Sequence, residues 1–143
     1  MSARDIASLG QVFTPPSVVA FMLDLGRNKG RVLEPSAGDG AFFATLRERQ
    51  ADCVGIEVDP RVAPAGAEIR DFFDYPLSEQ FDTIIGNPPY VRFQDVAVDT
   101  RKRLKSELFD KRSNLFLFFI EKCIRHLKPG GELVFIVPRE FIK

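Results

Sequence analysis

Asn87, Pro88, Pro89 and Tyr90 follow the apolar run FDTII as GNPPY at 86–90, so an amide, two prolines and an aromatic ring close a buried strand. Two successive prolines hold two φ angles at about −65° and remove two backbone donors, so this segment cannot continue a sheet ladder. What remains is a stiff turn rich in unpaired acceptors. Three other predicted strand ends carry polar chemistry. Glu34, Pro35, Ser36, Ala37, Gly38, Asp39 and Gly40 form a turn after the first strand. Its glycines let backbone approach a ligand, and a helix N-terminus stands behind it. It lacks the three-glycine spacing of the dinucleotide fingerprint, and a turn with no ligand would look the same. Glu57, with Val58 beside it, closes the second strand 17 residues past Gly40. An acid there grips ribose hydroxyls or simply caps a helix. Asp71 and Phe72 follow the third strand, an acceptor beside an aromatic face, suited to an adenine amino group and ring. Taken together, the three ends supply groups for the tail, ribose and base of an adenosyl ligand.

These groups need a scaffold that brings strand ends together. TPPSVVAFMLDLG opens with a threonine cap and prolines and stops at Gly26, which predicts a first helix. RVLEPSAGDGAFFATLRERQ predicts a short strand, a turn and a helix from about Ala41 to Arg49. CVGIEV, AEIRDF, FDTIIG and GGELVFIVP read as further strands, and NLFLFFIEKCIRHL as a long helix between the last two. Continuous apolar strands alternating with helices imply an α/β fold, a doubly wound, mostly parallel sheet covered on both faces, whose ligand crevice lies beyond the strands' carboxyl ends. Only DPRVAPAGA separates the second and third strands, too short and proline-rich for an ordinary crossover helix. The fifth strand is left with a free edge, which predicts self-association through it.

The bulk properties fit one domain over residues 1–143. At 45% hydrophobic, the chain has the material to bury roughly two-thirds of its unfolded surface. Twenty basic and twenty acidic residues cancel, so no overall field draws the protein onto nucleic acid. Any such contact has to come from a local patch or a partner. Cys53 and Cys123 lie in apolar runs, as small buried thiols do. The start MSARDIASLG lacks a signal-peptide core, and no apolar run approaches the roughly 20 residues that span a bilayer, which leads us to expect a soluble, cytoplasmic protein with no membrane partner. His126, the single histidine, falls in the last turn of the predicted helix, where a cation suits the dipole and a metal role is not expected. RKRLKSELFDKR at 101–112 reads equally well as a solvated charged segment or as a contact for phosphates.

FTPP at 13–16, LEPSAGDGAF at 33–42, GIEVDP, DFFDY, GNPPY, NLFLFFIEK and LKPGGELVFIVP occur in an order and spacing that resembles adenine-specific (N6) DNA methyltransferases of the restriction-modification type. The resemblance is to the subgroup with cofactor motifs before the Asn-Pro-Pro-Tyr motif, and it runs from Gln11 to Phe141. It implies a class I, Rossmann-like catalytic domain, S-adenosyl-L-methionine as cofactor, and double-stranded DNA with a flipped adenine as partner. Its setting would be the cytoplasm, associated with the nucleoid of a prokaryote. On that resemblance Asn87 Oδ1 and the Pro88 carbonyl would accept the two N–H bonds of the target amine. They would localise its lone pair and hold the nitrogen in line with the sulfonium methyl. Tyr90 would stack on the flipped base. Thr14 would hold the methionine carboxylate with backbone amides of residues 38–40. Glu57 would take the ribose, Asp71 and Phe72 the cofactor adenine, and Pro89 or Phe119 would close over it; Phe119 in a phenylalanine-rich run also reads as plain core.

The Asn-Pro-Pro-Tyr motif is shared with enzymes that methylate a glutamine of translation release factors. FTPP, the short DPRVAPAGA connection and NLFLFFIEK favour the DNA group. Family members of full length carry further strands and a target-recognition domain, which the sequence leads us to expect as a separate or missing part. The alternatives are then a truncated chain, half of a split enzyme, or a cofactor-binding module inactive without a partner.

Overall fold

A computed structural model describes residues 14–27, 30–38, 40–49, 51–88, 102–103 and 115–137. In chain order these form α1 (Pro16–Leu25), β1 (Val32–Glu34), α2 (Ala41–Glu48), β2 (Cys53–Glu57), β3 (Glu68–Ile69), a 3₁₀ turn (Phe72–Asp74), β4 (Phe81–Gly86), α3 (Leu115–Arg125) and β5 (Leu127–Phe135). The five strands pair in parallel in the order β3-β2-β1-β4-β5. The chain winds outward from β1 to β3, returns across β1 to β4, and continues to β5. Strand order therefore reverses between β1 and β4, which is where an open parallel sheet binds ligands.

Side-chain alternation sends successive residues to opposite faces, and the core follows it. Val32 and Ile85 pack with Val19, Met22, Phe42 and Leu46 under α1 and α2. Leu33, Ile56 and Ile84 pack on the other face with Phe72, Phe119 and Cys123 under α3. The expected doubly wound α/β sheet is present. Between β2 and β3 the chain makes turns without a helix, as the prolines of DPRVAPAGA require.

The structure departs from the sequence reading at three places. Pro15 occupies the cap position of α1 and no side chain caps it, so Thr14 is not the helix cap. Pro16 lacks an N–H, which leaves one donor fewer to satisfy at that end. β5 begins at Leu127, ahead of Pro129, Gly130 and Gly131, instead of at the glycines; pairing with β4 starts at Phe81 opposite Leu127, is interrupted, and resumes at Thr83 opposite Glu132. β5 lies at one end of the strand order, as expected.

The third departure is His126, which is a turn residue past α3, 0% exposed, and not a cation serving the helix dipole. Its ring lies among Phe72, Tyr75 and Phe81, with centroids at 5.4, 5.4 and 6.5 Å. Nδ1 is 2.7 Å from the Glu79 carbonyl, an acceptor, so Nδ1 carries the hydrogen. Nε2 is buried with no hydrogen-bond partner among the described residues. Burial holds the imidazole below its ordinary value of 6.5, and the Lys122 charge acts in the same direction, against the Glu79 carbonyl. A folded pKa below the unfolded one means that stability is complete above 6.5 and declines as pH falls through 6.5, where only the unfolded chain takes up the proton. Urea denaturation between pH 8 and pH 5.5 should show stability sloping downward as pH falls through 6.5. His126→Gln, which keeps a donor for Glu79, should be less stable at pH 8 and lack that slope.

Candidate functional site

The ends of β1, β2 and β4 meet at the reversal point, and two buried carboxylates organise them. Glu34, 1% exposed at the end of β1, accepts the Ser36 N–H at Oε1 (2.8 Å). Gly86 ends β4 beside it. A Cβ at Gly86 would stand 2.6 Å from Glu34 Oε1 and 2.7 Å from Oε2, so any side chain before Asn87 would push the Glu34 carboxylate from its place. Glu57, 1% exposed at the end of β2, accepts the Gly38 N–H at Oε1 (2.8 Å) and the Asp59 N–H at Oε2 (2.9 Å). Asp59 is in turn gripped by Arg61, whose Nη2 lies 2.7 Å from Oδ2 and whose hydrogen bonds hold the Asp59 carboxyl below its ordinary range.

The loop of residues 34–40 is thereby pinned to β2. The Ala37 N–H reaches the Ile56 carbonyl (2.8 Å), and the Gly40 N–H turns back on the Ala37 carbonyl (2.8 Å). Pro35 and Ala37 are buried, and Ser36 and Gly38 half-buried. Gly40 begins α2 at φ 84°, and a Cβ there would meet Pro64 at 2.8 Å. The amides of Gly38 and Gly40 were expected to hold a ligand carboxylate; both are already committed, to Glu57 and to Ala37. Asp39 lies outside the described residues.

At the end of β4, Asn87 is half-buried and Pro88 fully buried. Asn87 Nδ2 donates to Thr14 Oγ1 at 3.4 Å. The threonine that does not cap α1 thus stands at the acceptor motif, 8% exposed. Pro89 and Tyr90 lie outside the described residues. Asp71 stands past β3, its Oδ1 accepting the Phe73 N–H (2.9 Å) and its Oδ2 facing Arg103 Nη1 (3.0 Å). The Phe72 ring is 3% exposed and packs on Phe119, centroids 4.8 Å apart; Phe119 is itself 3% exposed. In this structure both rings belong to the core under α3, and the structure does not bring their faces to the crevice. Val58 is half-exposed beside Glu57.

The sequence reading brought together Thr14, residues 34–40, Glu57, Asp71 and Asn87, and missed two supports: the fit of Gly86 to Glu34, and Arg103 on Asp71. The first had a signal in the glycine of GNPPY, legible only once β1 and β4 are known to be neighbours. The second had none, since 32 residues separate the pair. No group of three or more His, Cys, Asp or Glu among the described residues is arranged to hold a metal. Among the same residues no helix is long and apolar enough to cross a membrane.

This sheet, with its crevice at the β1–β4 reversal, is the fold of class I S-adenosylmethionine-dependent methyltransferases. A crystal structure of a Listeria monocytogenes protein assigned to that class superposes with a TM-score of 0.65 at 23% identity, over 89% of this chain and 46% of the other. Residues 57–143 match the Eco57I restriction-modification methylase family, and the chain belongs to that family. The Type II methyltransferase M.TthHB8I of Thermus thermophilus is 38% identical over 94% of this chain and 36% of its own length. M.HincII of Haemophilus influenzae is also 38% identical, over 94% of this chain and 28% of its own. The chain therefore spans about a third of the length of these relatives.

Because Glu57 serves two backbone donors, its removal has a structural cost separate from any ligand. Glu57→Ala should lower the stability of the ligand-free protein by about 1–3 kcal/mol, read by chemical denaturation, since one buried and one half-buried N–H lose their acceptor. Ligand-free stability unchanged in this variant would show that the two hydrogen bonds do not hold the loop.

Proposed function

We propose that this chain carries the cofactor-binding and amine-positioning part of an adenine-specific (N6) DNA methyltransferase, acting with a target-recognition part outside these 143 residues. The observation that carries the reading is the placement of Asn87 and Pro88. They follow directly from the strand beside the reversal point, with Thr14 on the Asn87 amide and the adenosyl candidates Glu57 and Asp71 at the end of β2 and just past β3, on the other side of β1. The residues fit S-adenosylmethionine by the chemistry of their donors and acceptors. Asp71 offers a carboxylate to an exocyclic amine, Glu57 an acceptor to ribose, and Thr14 a hydroxyl to the methionine carboxylate. Bound there, the cofactor supplies an electrophilic methyl group on a sulfonium.

Asn87 and Pro88 do the positioning. An amine conjugated with its ring is a poor nucleophile because its lone pair is delocalised. Acceptance of its two N–H bonds by Asn87 Oδ1 and the Pro88 carbonyl turns that pair toward the methyl carbon. With the nitrogen so held, the methyl group of a bound cofactor would pass to it with the sulfur as leaving group, and the methylated amine would give up one proton to solvent. Tyr90 stacks on the flipped base and Pro89 stiffens the turn; both enter on the sequence motif. The fold's neutral balance of charge leaves the hold on DNA to local patches and to the recognition part.

Calorimetric titration with S-adenosylmethionine should show binding that Asp71→Ala weakens by about 10-fold or more, the loss of a hydrogen bond to a charged group. With labelled cofactor and duplex DNA, supplemented with the recognition part, the label should appear as N6-methyladenine and vanish in Asn87→Ala. Label on cytosine, or on a release-factor glutamine and not on DNA, would overturn the assignment.

A further inference from the structure

We infer that Arg61 is a positioning residue for Glu57: its guanidinium holds Asp59, and the Asp59 N–H in turn sets where the Glu57 carboxylate stands toward a ribose. The inference rests on the ribose role proposed for Glu57. Between β2 and β3 the chain makes turns without a helix, so the path of this connection depends on individual contacts. Toward β3, Arg47 Nη1 donates to the Ala65 carbonyl at 2.7 Å, and Pro64 lies against Gly40. Toward β2, where the connection leaves Glu57, the contacts centre on Asp59.

Asp59 acts through three groups. Its N–H donates to Glu57 Oε2 at 2.9 Å, and its carbonyl accepts the N–H groups of Val62 and Ala63 at 3.2 and 3.1 Å. Its carboxylate accepts the Arg61 N–H at Oδ1 (2.9 Å) and the Arg61 guanidinium as a fork, Nε 3.0 Å from Oδ1 and Nη2 2.7 Å from Oδ2. The Asp59 side chain is 6% exposed and that of Arg61 61%, so a buried acid is held by a cation at the surface. A carboxylate buried to that degree needs hydrogen bonds and a counter-charge in place of water, and a planar guanidinium supplies both in one fixed geometry. Without the fork the aspartate turns toward water, and the turn of residues 59–63 moves with it. A backbone donor that orients the Glu57 carboxylate is then displaced. Hydrogen bonds weaken steeply as their angles open, so a tilted carboxylate meets the two adjacent ribose hydroxyls poorly.

The test titrates S-adenosylhomocysteine and its 2′,3′-dideoxy analogue, which lacks both hydroxyls, calorimetrically into the whole chain and into Arg61→Ala, Arg61→Lys and Glu57→Gln. Arg61→Ala should bind S-adenosylhomocysteine about tenfold more weakly than the native chain, the scale of one hydrogen bond to a charged group. Arg61→Lys, which keeps the charge but not the fork, should fall between the two. The dideoxy analogue should bind the native chain and Arg61→Ala alike, because the defect lies only in the grip on the hydroxyls. A loose or partly unfolded loop would instead weaken both ligands equally, and that result overturns the positioning role. Native-strength binding of S-adenosylhomocysteine by Arg61→Ala overturns it too, and leaves the ribose role of Glu57 standing wherever Glu57→Gln loses the preference for the hydroxyls. A native chain that binds both ligands equally or binds neither, or a preference that survives Glu57→Gln, removes the ribose role of Glu57 and the inference with it.

Discussion

Everything at the crevice depends on two carboxylates buried at the ends of neighbouring strands. Glu34 and Glu57 are each 1% exposed, and burying a charge of that kind is tolerated only where hydrogen bonds replace the lost water. Backbone N–H groups supply them: Ser36 for Glu34, and Gly38 and Asp59 for Glu57. The same bonds therefore satisfy the acids and define the path of the loops. An irregular turn becomes as well determined as a strand, and the Gly38 segment is tied to β2 instead of being left to find its own conformation. The arrangement also explains why glycine precedes Asn87, since any side chain there would displace the Glu34 carboxylate.

The elements were legible wherever local pattern and burial act in the same direction. VLE and FDTII send apolar residues to both faces, Val32 and Ile85 to one and Leu33 and Ile84 to the other, because the sheet is covered on both faces, and the spacing of α3's phenylalanines follows from its burial on one of them. DPRVAPAGA was readable as a connection without a helix because proline imposes its restriction without tertiary help. Thr14 and His126 were misread for the opposite reason. A threonine before a helix is a good cap in isolation, yet two prolines follow it, and a partner 73 residues away takes its hydroxyl. A histidine after a helix is a good cation in isolation, yet the aromatic rings of the 3₁₀ turn region and of β4 enclose it and make the charge expensive.

The same division runs through the site. Glu57, Asp71 and Asn87 could be placed at strand ends from sequence because the strands themselves could be read. Which of their atoms remain available for a ligand could not, since that depends on contacts such as Gly38 to Glu57 and Arg103 to Asp71 that only the folded chain makes. Phe72 shows the limit most clearly. Its position beside Asp71 suits an adenine ring in the sequence, yet the folded chain buries it against Phe119 in the core and does not bring its face to the crevice.

Rigidity at Asn87 and Pro88 follows from what lies on either side of β4. The strand pairs with β1 through Thr83 and Ile84, and with β5 through Phe81 and again from Thr83 to Gly86, so it is held on both edges at Thr83 and Ile84 and on the β5 edge up to the residue before the motif. The Gly86 carbonyl accepts the Ile136 N–H at 3.3 Å, extending that hold past the end of the ladder. Beyond it, proline needs no hydrogen bond to keep its φ angle. The two acceptors assigned to the amine thus start from a base fixed by neighbouring strands and continue through backbone fixed by covalent geometry. Positional catalysis loses rate steeply with small displacements of the reacting groups, and a segment of this construction loses little order when its ligands are absent. A freely jointed loop in the same place would have to be ordered at each turnover, at the expense of the binding energy that orients the amine.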